Sequence, residues 1–103
     1  NLAITLERAG RTAEAIDAYR AALEVAPEDI SATQGIAMAT VRAGKDDPAL
    51  GRWLDRIALV GESETWREWA RARAAQRGLR LHAAADRARA HRSARTTAPW
   101  TAP

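Results

Sequence analysis

Apolar residues recur along this chain at helical spacing, and they do so in blocks. Leu2, Ala3, Leu6 and Ala9 fall on one face of a first helix, and Ala15, Ile16, Tyr19, Ala22, Leu23 and Ala26 on one face of a second. Ile36, Ala37, Thr40 and Ala43 predict a third helix; Leu50, Trp53, Leu54, Ile57 and Val60 predict a fourth. Trp66, Trp69 and Ala70 begin a fifth stripe, which dissolves into alanine and arginine. The polar punctuation falls between the blocks. Gly10 and Gly44 stand where a left-handed residue closes a helix, and Gly78 is expected to do the same. Thr12, Asp29, Asp47 and Ser63 are residue types that cap helix starts. Glu14 puts negative charge in a first turn, Pro48 follows its cap as a first-turn proline, and Pro27 stops the second helix.

The blocks repeat. Gly10, Gly44 and Gly78 are 34 residues apart, and so are Ala15, Ala49 and Ala83. Tyr19 and Trp53, Leu2 and Ile36, and Asp29 and Ser63 keep the same interval. Five sets in one register make each period a unit of two helices. The expected fold class is therefore all-α: a solenoid of helix–turn–helix units, about two full repeats followed by a degenerate third or a capping helix pair. The repeats fall at about 1–28, 29–62 and 63–93, and the remaining 94–103, small, polar and proline-bearing, reads as a disordered tail. The first residues, "NLAITLE", begin inside a helical pattern without a methionine, which reads as a piece of a longer chain.

Composition agrees with close helix packing. The 103 residues include one tyrosine, no phenylalanine and no cysteine, so many small side chains and few large ones are available to bury. Without cysteine there is no disulfide framework, thiolate metal site or thiol nucleophile. No apolar run reaches membrane-spanning length. Candidate chemistry is thin. Glu14 and Asp17 share a helix face but read as a solvated surface. His82 and His91 are nine apart, off the spacing of three or four that two metal ligands on a helix need. Ser31 and Ser93 lack a histidine in a helical frame, and Ser63 is accounted for as a cap. The glycines punctuate; they form no phosphate loop. No catalytic residue, metal or cofactor is expected.

Charge changes the picture more. Residues 1–61 carry seven basic and nine acidic side chains, whereas 62–103 carry nine and four. The run "RARAAQRGLRLHAAADRARAHRSAR", residues 71–95, sets eight arginines against one aspartate, Asp86. Arg71, Arg73, Arg77, Arg80, Arg87 and Arg89 are candidate anion-binding residues. The plain alternative is a soluble capping helix at the end of a solenoid. Nucleic acid is disfavoured as the partner, because no aromatic or groove-entering motif interleaves with the arginines.

The first unit resembles the tetratricopeptide repeat, through Leu2, Ala3, Leu6, Gly10, Ala15, Tyr19, Ala22 and Pro27. In that pattern alanines let two helices approach and the aromatic fills the space beside them. The second unit matches through Ile36, Ala37, Gly44, Ala49 and Trp53, but has Arg56 at a small-residue position and Gly61 in place of proline. The third keeps Gly78 and Ala83. Strict spacing puts Arg71 at its small position; placing Trp66 at the repeat's first-helix tryptophan instead makes Ala70 the small residue, and this register is preferred because it buries two tryptophans. The resemblance is good over 1–61, moderate over 62–78 and poor over 79–93.

The family implies a solenoid whose first helices line a concave face that binds a peptide or partner protein. Carried over position by position, the groove comprises Ile4, Glu7, Arg8, Ser31, Gln34, Met38, Val41 and Arg42, with Thr65, Glu68 and Ala72 from the third unit. The positions at which one subfamily clamps a C-terminal carboxylate hold Asn1, Ile4, Gly35, Thr65 and Trp69, so that mode is not expected. The expected function is an interaction scaffold. The alternatives are an accessory module of a longer enzyme, and an anion-binding adaptor acting through the arginine-rich helix.

Overall fold

The computed structural model describes residues 2–97, and every element among them is an α-helix. Asn1 and residues 98–103, most of the expected tail, lie outside the described residues. Helix α1 (Leu2–Arg8) pairs with α2 (Thr12–Val25), and α3 (Ile30–Arg42) with α4 (Leu50–Val60). A long helix α5 (Glu64–Thr97) packs its first turns on α4.

The two hairpins turn by the same device. Gly10 has φ +78° and Gly44 φ +67°, the left-handed region where a Cβ is penalised. In the first turn Arg11 N–H reaches back to Leu6 O at 2.9 Å; in the second Lys45 N–H reaches Thr40 O at 3.2 Å. These bonds satisfy carbonyls that a helix end leaves open. Asp29 caps α3, accepting from the amides of Ser31 (3.0 Å) and Ala32 (3.2 Å), and Ser63 Oγ accepts from Trp66 N–H at 3.1 Å. Two starts differ from expectation. Thr12 is the first residue of α2 rather than its cap; that place falls to Arg11, which makes no capping hydrogen bond and instead pairs with Glu14 across the first turn at 2.7 Å. Asp47 caps the turn leading into α4, not α4 itself, through Ala49 N–H at 2.8 Å. That amide, with Arg20 beside it, holds the Asp47 carboxyl below the usual carboxylate range.

Small residues bring the helices together. Ala3, Ala15, Ile16, Tyr19, Ile36 and Ala39 form one buried cluster; Ala37, Leu50, Leu54, Ile57 and Ala70 form a second, and Trp53 packs against both. Tyr19 is 5% exposed and lies so close on α3 that a Cβ at Gly35 would sit 2.2 Å from its ring. Arg56, the departure from the small-residue pattern, has its own use: its guanidinium donates to Pro27 O and Glu28 O, tying the α2–α3 turn to α4.

The third period departs from the expected helix pair. Gly78 does not turn: it has no positive φ, and α5 runs through it to Thr97, so residues 94–97 are helical as well. The reason lies in what a returning helix would bury. At the places of Ala49, Leu50, Trp53, Leu54 and Ile57 it would present Ala83, Ala84, Arg87, Ala88 and His91. Each Leu, Ile or Trp buried in the second unit is worth about 1.5–3 kcal/mol, and burying Arg87 unpaired would oppose folding. Glycine inside a helix costs about 1 kcal/mol relative to alanine, so continuing straight is the smaller penalty. The molecule measures 68 × 27 × 23 Å, its length set by this helix.

Candidate functional site

The first helices of the units do form one face. A depression of about 330 Å³ lies between α1 and α3, and its lining includes Ile4, Glu7, Ser31, Gln34, Met38 and Arg42. Six of the eight groove residues expected from the sequence thus come together. The other two do not. Arg8 is exposed at the end of α1 and lines none of the hollows described here, because the Gly10 turn follows at once. Val41 packs with the second buried cluster and lines a different hollow, beside Gly44 and Arg77. Thr65 lines a smaller apolar hollow of about 230 Å³ with Met38, Ser63, Trp66 and Trp69. Met38 and Trp66 belong to both hollows, so the two are continuous. Glu68 and Ala72 are exposed on α5 and line neither.

Polar chemistry in the groove centres on Glu7. The Tyr19 phenol shares the hollow with its carboxylate, and burial together with that carboxylate pushes the phenol up to about 12. Glu7 Oε2 is 4.0 Å from Arg42 Nη1. Glu7 Oε1 is buried and has no hydrogen-bond partner. A buried carboxylate oxygen without a donor is costly. Gln34, in contrast, is already committed. At 3% exposure it donates to Glu62 Oε1 at 2.6 Å and accepts from Glu62 N–H at 2.8 Å, fixing the α4–α5 connection to α3.

The apolar end is built by Met38, Trp66 and Trp69. The two indoles meet edge to face, centroids 5.5 Å apart at 89°, and both remain half-buried. Four lining residues were not among the expected set: Tyr19, Gly35, Glu62 and Trp66. Gly35 carries a legible signal, since a glycine inside an apolar helical pattern marks a close approach. Glu62 carries none, because its partner lies 28 residues away.

The arginines of α5 divide. Arg71 is 3.8 Å from Glu64 and 3.4 Å from Ala58 O, and Arg89 pairs with Asp86. Arg73, Arg77 and Arg80 line a third hollow with Lys45 and Asp46; Arg87 is exposed further along. Among the described residues, no three His, Asp or Glu side chains gather as metal ligands would, and no helix is long and apolar enough to cross a membrane.

Comparison with known proteins gives one match. A family model described as a tetratricopeptide repeat matches residues 1–41, which is α1, α2 and nearly all of α3. No curated protein and no solved structure matches the chain. The matched residues hold the Gly10 turn, the alanine-lined approach of α1 and α2 and the Tyr19 packing, and the same turn recurs at Gly44: the first unit and the helix after it are similar to a tetratricopeptide repeat.

Proposed function

We propose that the chain is an interaction scaffold whose concave face holds an extended segment of a partner protein. Tetratricopeptide repeats are typically non-catalytic modules that mediate protein–protein interaction, and the groove gives that general role a chemistry. The segment presents a hydrogen-bond donor, a lysine or an N–H group, to Glu7, and an apolar side chain to the Met38–Trp66–Trp69 hollow. The observation that carries this reading is the unpartnered Glu7 Oε1 at one end of a groove whose other end is apolar. Rigid aromatic and methionine side chains suit such a contact, because they offer large area and adapt to the side chain they receive.

Selection of peptides from a random library on the immobilised chain tests it. Enriched sequences are expected to pair a basic residue with an apolar one. Binding should fall by at least about tenfold, or 1.4 kcal/mol, in Glu7→Gln and in Met38→Asp. Asp17→Ala and Glu24→Ala, on exposed positions of α2, should bind as the parent does. Equal losses from both sets, with helical content unchanged, reject the groove.

A further inference from the structure

Helix α5 outlasts the body it packs on. Over its first turns it presents Trp66, Trp69, Ala70 and Ala74 to the second cluster, but from Gly78 to Ala94 every residue is exposed. At about 100° per residue, Arg73, Arg77, Arg80, Arg87 and His91 fall within an arc of about 80°. The same arc contains Trp66 and Trp69, so the cationic stripe continues the face that packs on the body. Glu64, Glu68 and Asp86 fall on the opposite side of the helix.

The ion pairs follow this division. Arg67 and Arg71 pair with Glu64 at 2.9 and 3.8 Å, and Arg89 with Asp86, which also lies 3.4 Å from His82 Nε2. Within the stripe, among the described residues, a carboxylate meets only Arg77, whose Nη2 is 3.5 Å from Asp46 Oδ1. At the base of the stripe lies the third hollow, about 270 Å³, where Lys45 joins Arg73, Arg77 and Arg80 over Val41 and Leu50. Arg77 lies close over the α4 backbone at Gly51, where a Cβ would stand 3.2 Å from its Nη1, and its Nε is buried without an acceptor. Four cations around one carboxylate repel one another, and a bound anion relieves that repulsion.

We infer that this stripe is a track for the phosphate backbone of duplex nucleic acid, with one phosphate in the Lys45–Arg73–Arg77 hollow and the next ones along Arg80 and Arg87. Three features select this occupant. A protein partner requires an apolar interface core, which the stripe lacks beyond Leu81 at its edge. A membrane-surface helix requires a face of large apolar residues, and this one offers alanine. Nucleic-acid interfaces are polar and strongly positive, and from Arg73 to Arg87 the stripe runs about 21 Å, roughly six base-pair steps. The lack of interleaved aromatics, which disfavours nucleic acid when the sequence is read alone, removes base stacking and base readout but leaves phosphate contacts intact. This reading is independent of the groove.

The test is a titration of the full chain against mixed-sequence duplex DNA, polyglutamate and anionic phospholipid vesicles at several salt concentrations. Duplex binding with a log–log salt slope of about −3 and no sequence preference is expected, from about three phosphate contacts. Arg80→Gln with Arg87→Gln should flatten the slope by about 2. Arg71→Gln with Arg89→Gln removes the same charge from the other face and should leave the slope unchanged. Circular dichroism on both pairs verifies that α5 persists. Equal effects of the two pairs, absence of duplex binding at about 0.15 M salt, or binding to polyglutamate or vesicles in preference to duplex would each overturn the inference.

Discussion

Glycine stands at the same place in three successive periods, yet only two of the three end a helix. Gly10 and Gly44 adopt left-handed conformations and send the chain back on itself; Gly78 sits inside α5. Local space does not separate them, because a Cβ at Gly10, Gly44 or Gly78 would meet nothing within 4 Å. What separates them is the helix that follows. After Gly10 it offers Ala15, Ile16 and Tyr19 for burial, and after Gly44 it offers Leu50, Leu54 and Ile57. After Gly78 it offers alanine, arginine and histidine. Glycine permits a turn, and the apolar face of the next helix makes the turn worth forming. Where that face is missing the chain continues straight, and Arg87 and His91, at places that would have been buried, stay exposed and extend the cationic stripe.

The largest expected effect breaks the body side of this comparison. Tyr19 fills the space between α2 and α3, against Gly35 and within the first buried cluster. Tyr19→Ala should cost about 3–5 kcal/mol, enough to unfold a domain this small. Urea melts followed by circular dichroism read it directly. Arg87→Ala, at the equivalent place in the third period, should leave the melt unchanged. Similar losses from both would mean that the third period packs as the first two do.

How much of this was legible in the sequence follows the same line. The 34-residue interval and the alternation of small and large apolar residues carried the first four helices, both glycine turns and the caps at Asp29 and Ser63, because those signals are local and periodic. The straight passage of α5 through Gly78 was not read, although its cause was present: Arg87 and His91 occupy places where Trp53 and Ile57 stand one period earlier. Six of the lining residues came from the groove positions that the resemblance implies, carried over position by position. Val41 and Arg8, carried over in the same way, fall outside the depression, Val41 because it packs on the second cluster, and the pairing of Gln34 with Glu62 joins two elements that no spacing rule connects. The segregation of paired and unpaired arginines needed only a helix that continues; once Gly78 was read as a turn, Arg73 and Arg87 belonged to different elements.

A pH titration sharpens the comparison with an intermediate effect, because the protein's one tyrosine lies in the body. Its phenol is pushed up to about 12 by burial and by Glu7, against about 10 in an unfolded chain. The folded state therefore keeps its proton where the unfolded state loses it, and stability should fall as pH rises from about 10 to about 12, by roughly 2–3 kcal/mol. Tyrosinate absorbance should appear near pH 12 in buffer and near pH 10 in urea. Glu7→Gln removes the neighbouring charge and should bring the native titration part of the way down. A native titration near pH 10 in the parent would show that the ring is not held against the Glu7 carboxylate.

The smallest effects test the glycines themselves, and here the expected signs differ. Alanine at position 10 or 44 must adopt a positive φ that costs about 1–2 kcal/mol, so Gly10→Ala and Gly44→Ala should each lower the urea midpoint. Alanine at position 78 meets no neighbour and no unfavourable φ, and it gains up to about 1 kcal/mol of helix propensity. Because residues 78–94 are exposed, that gain belongs to the projecting part of α5 and not to the body. Gly78→Ala should therefore slow amide hydrogen exchange between residues 75 and 90 while leaving the global melt where it was. If Gly78→Ala instead lowered the melt as the other two do, the third glycine would be turning in solution, and the straight helix together with the continuous cationic stripe would have to be given up.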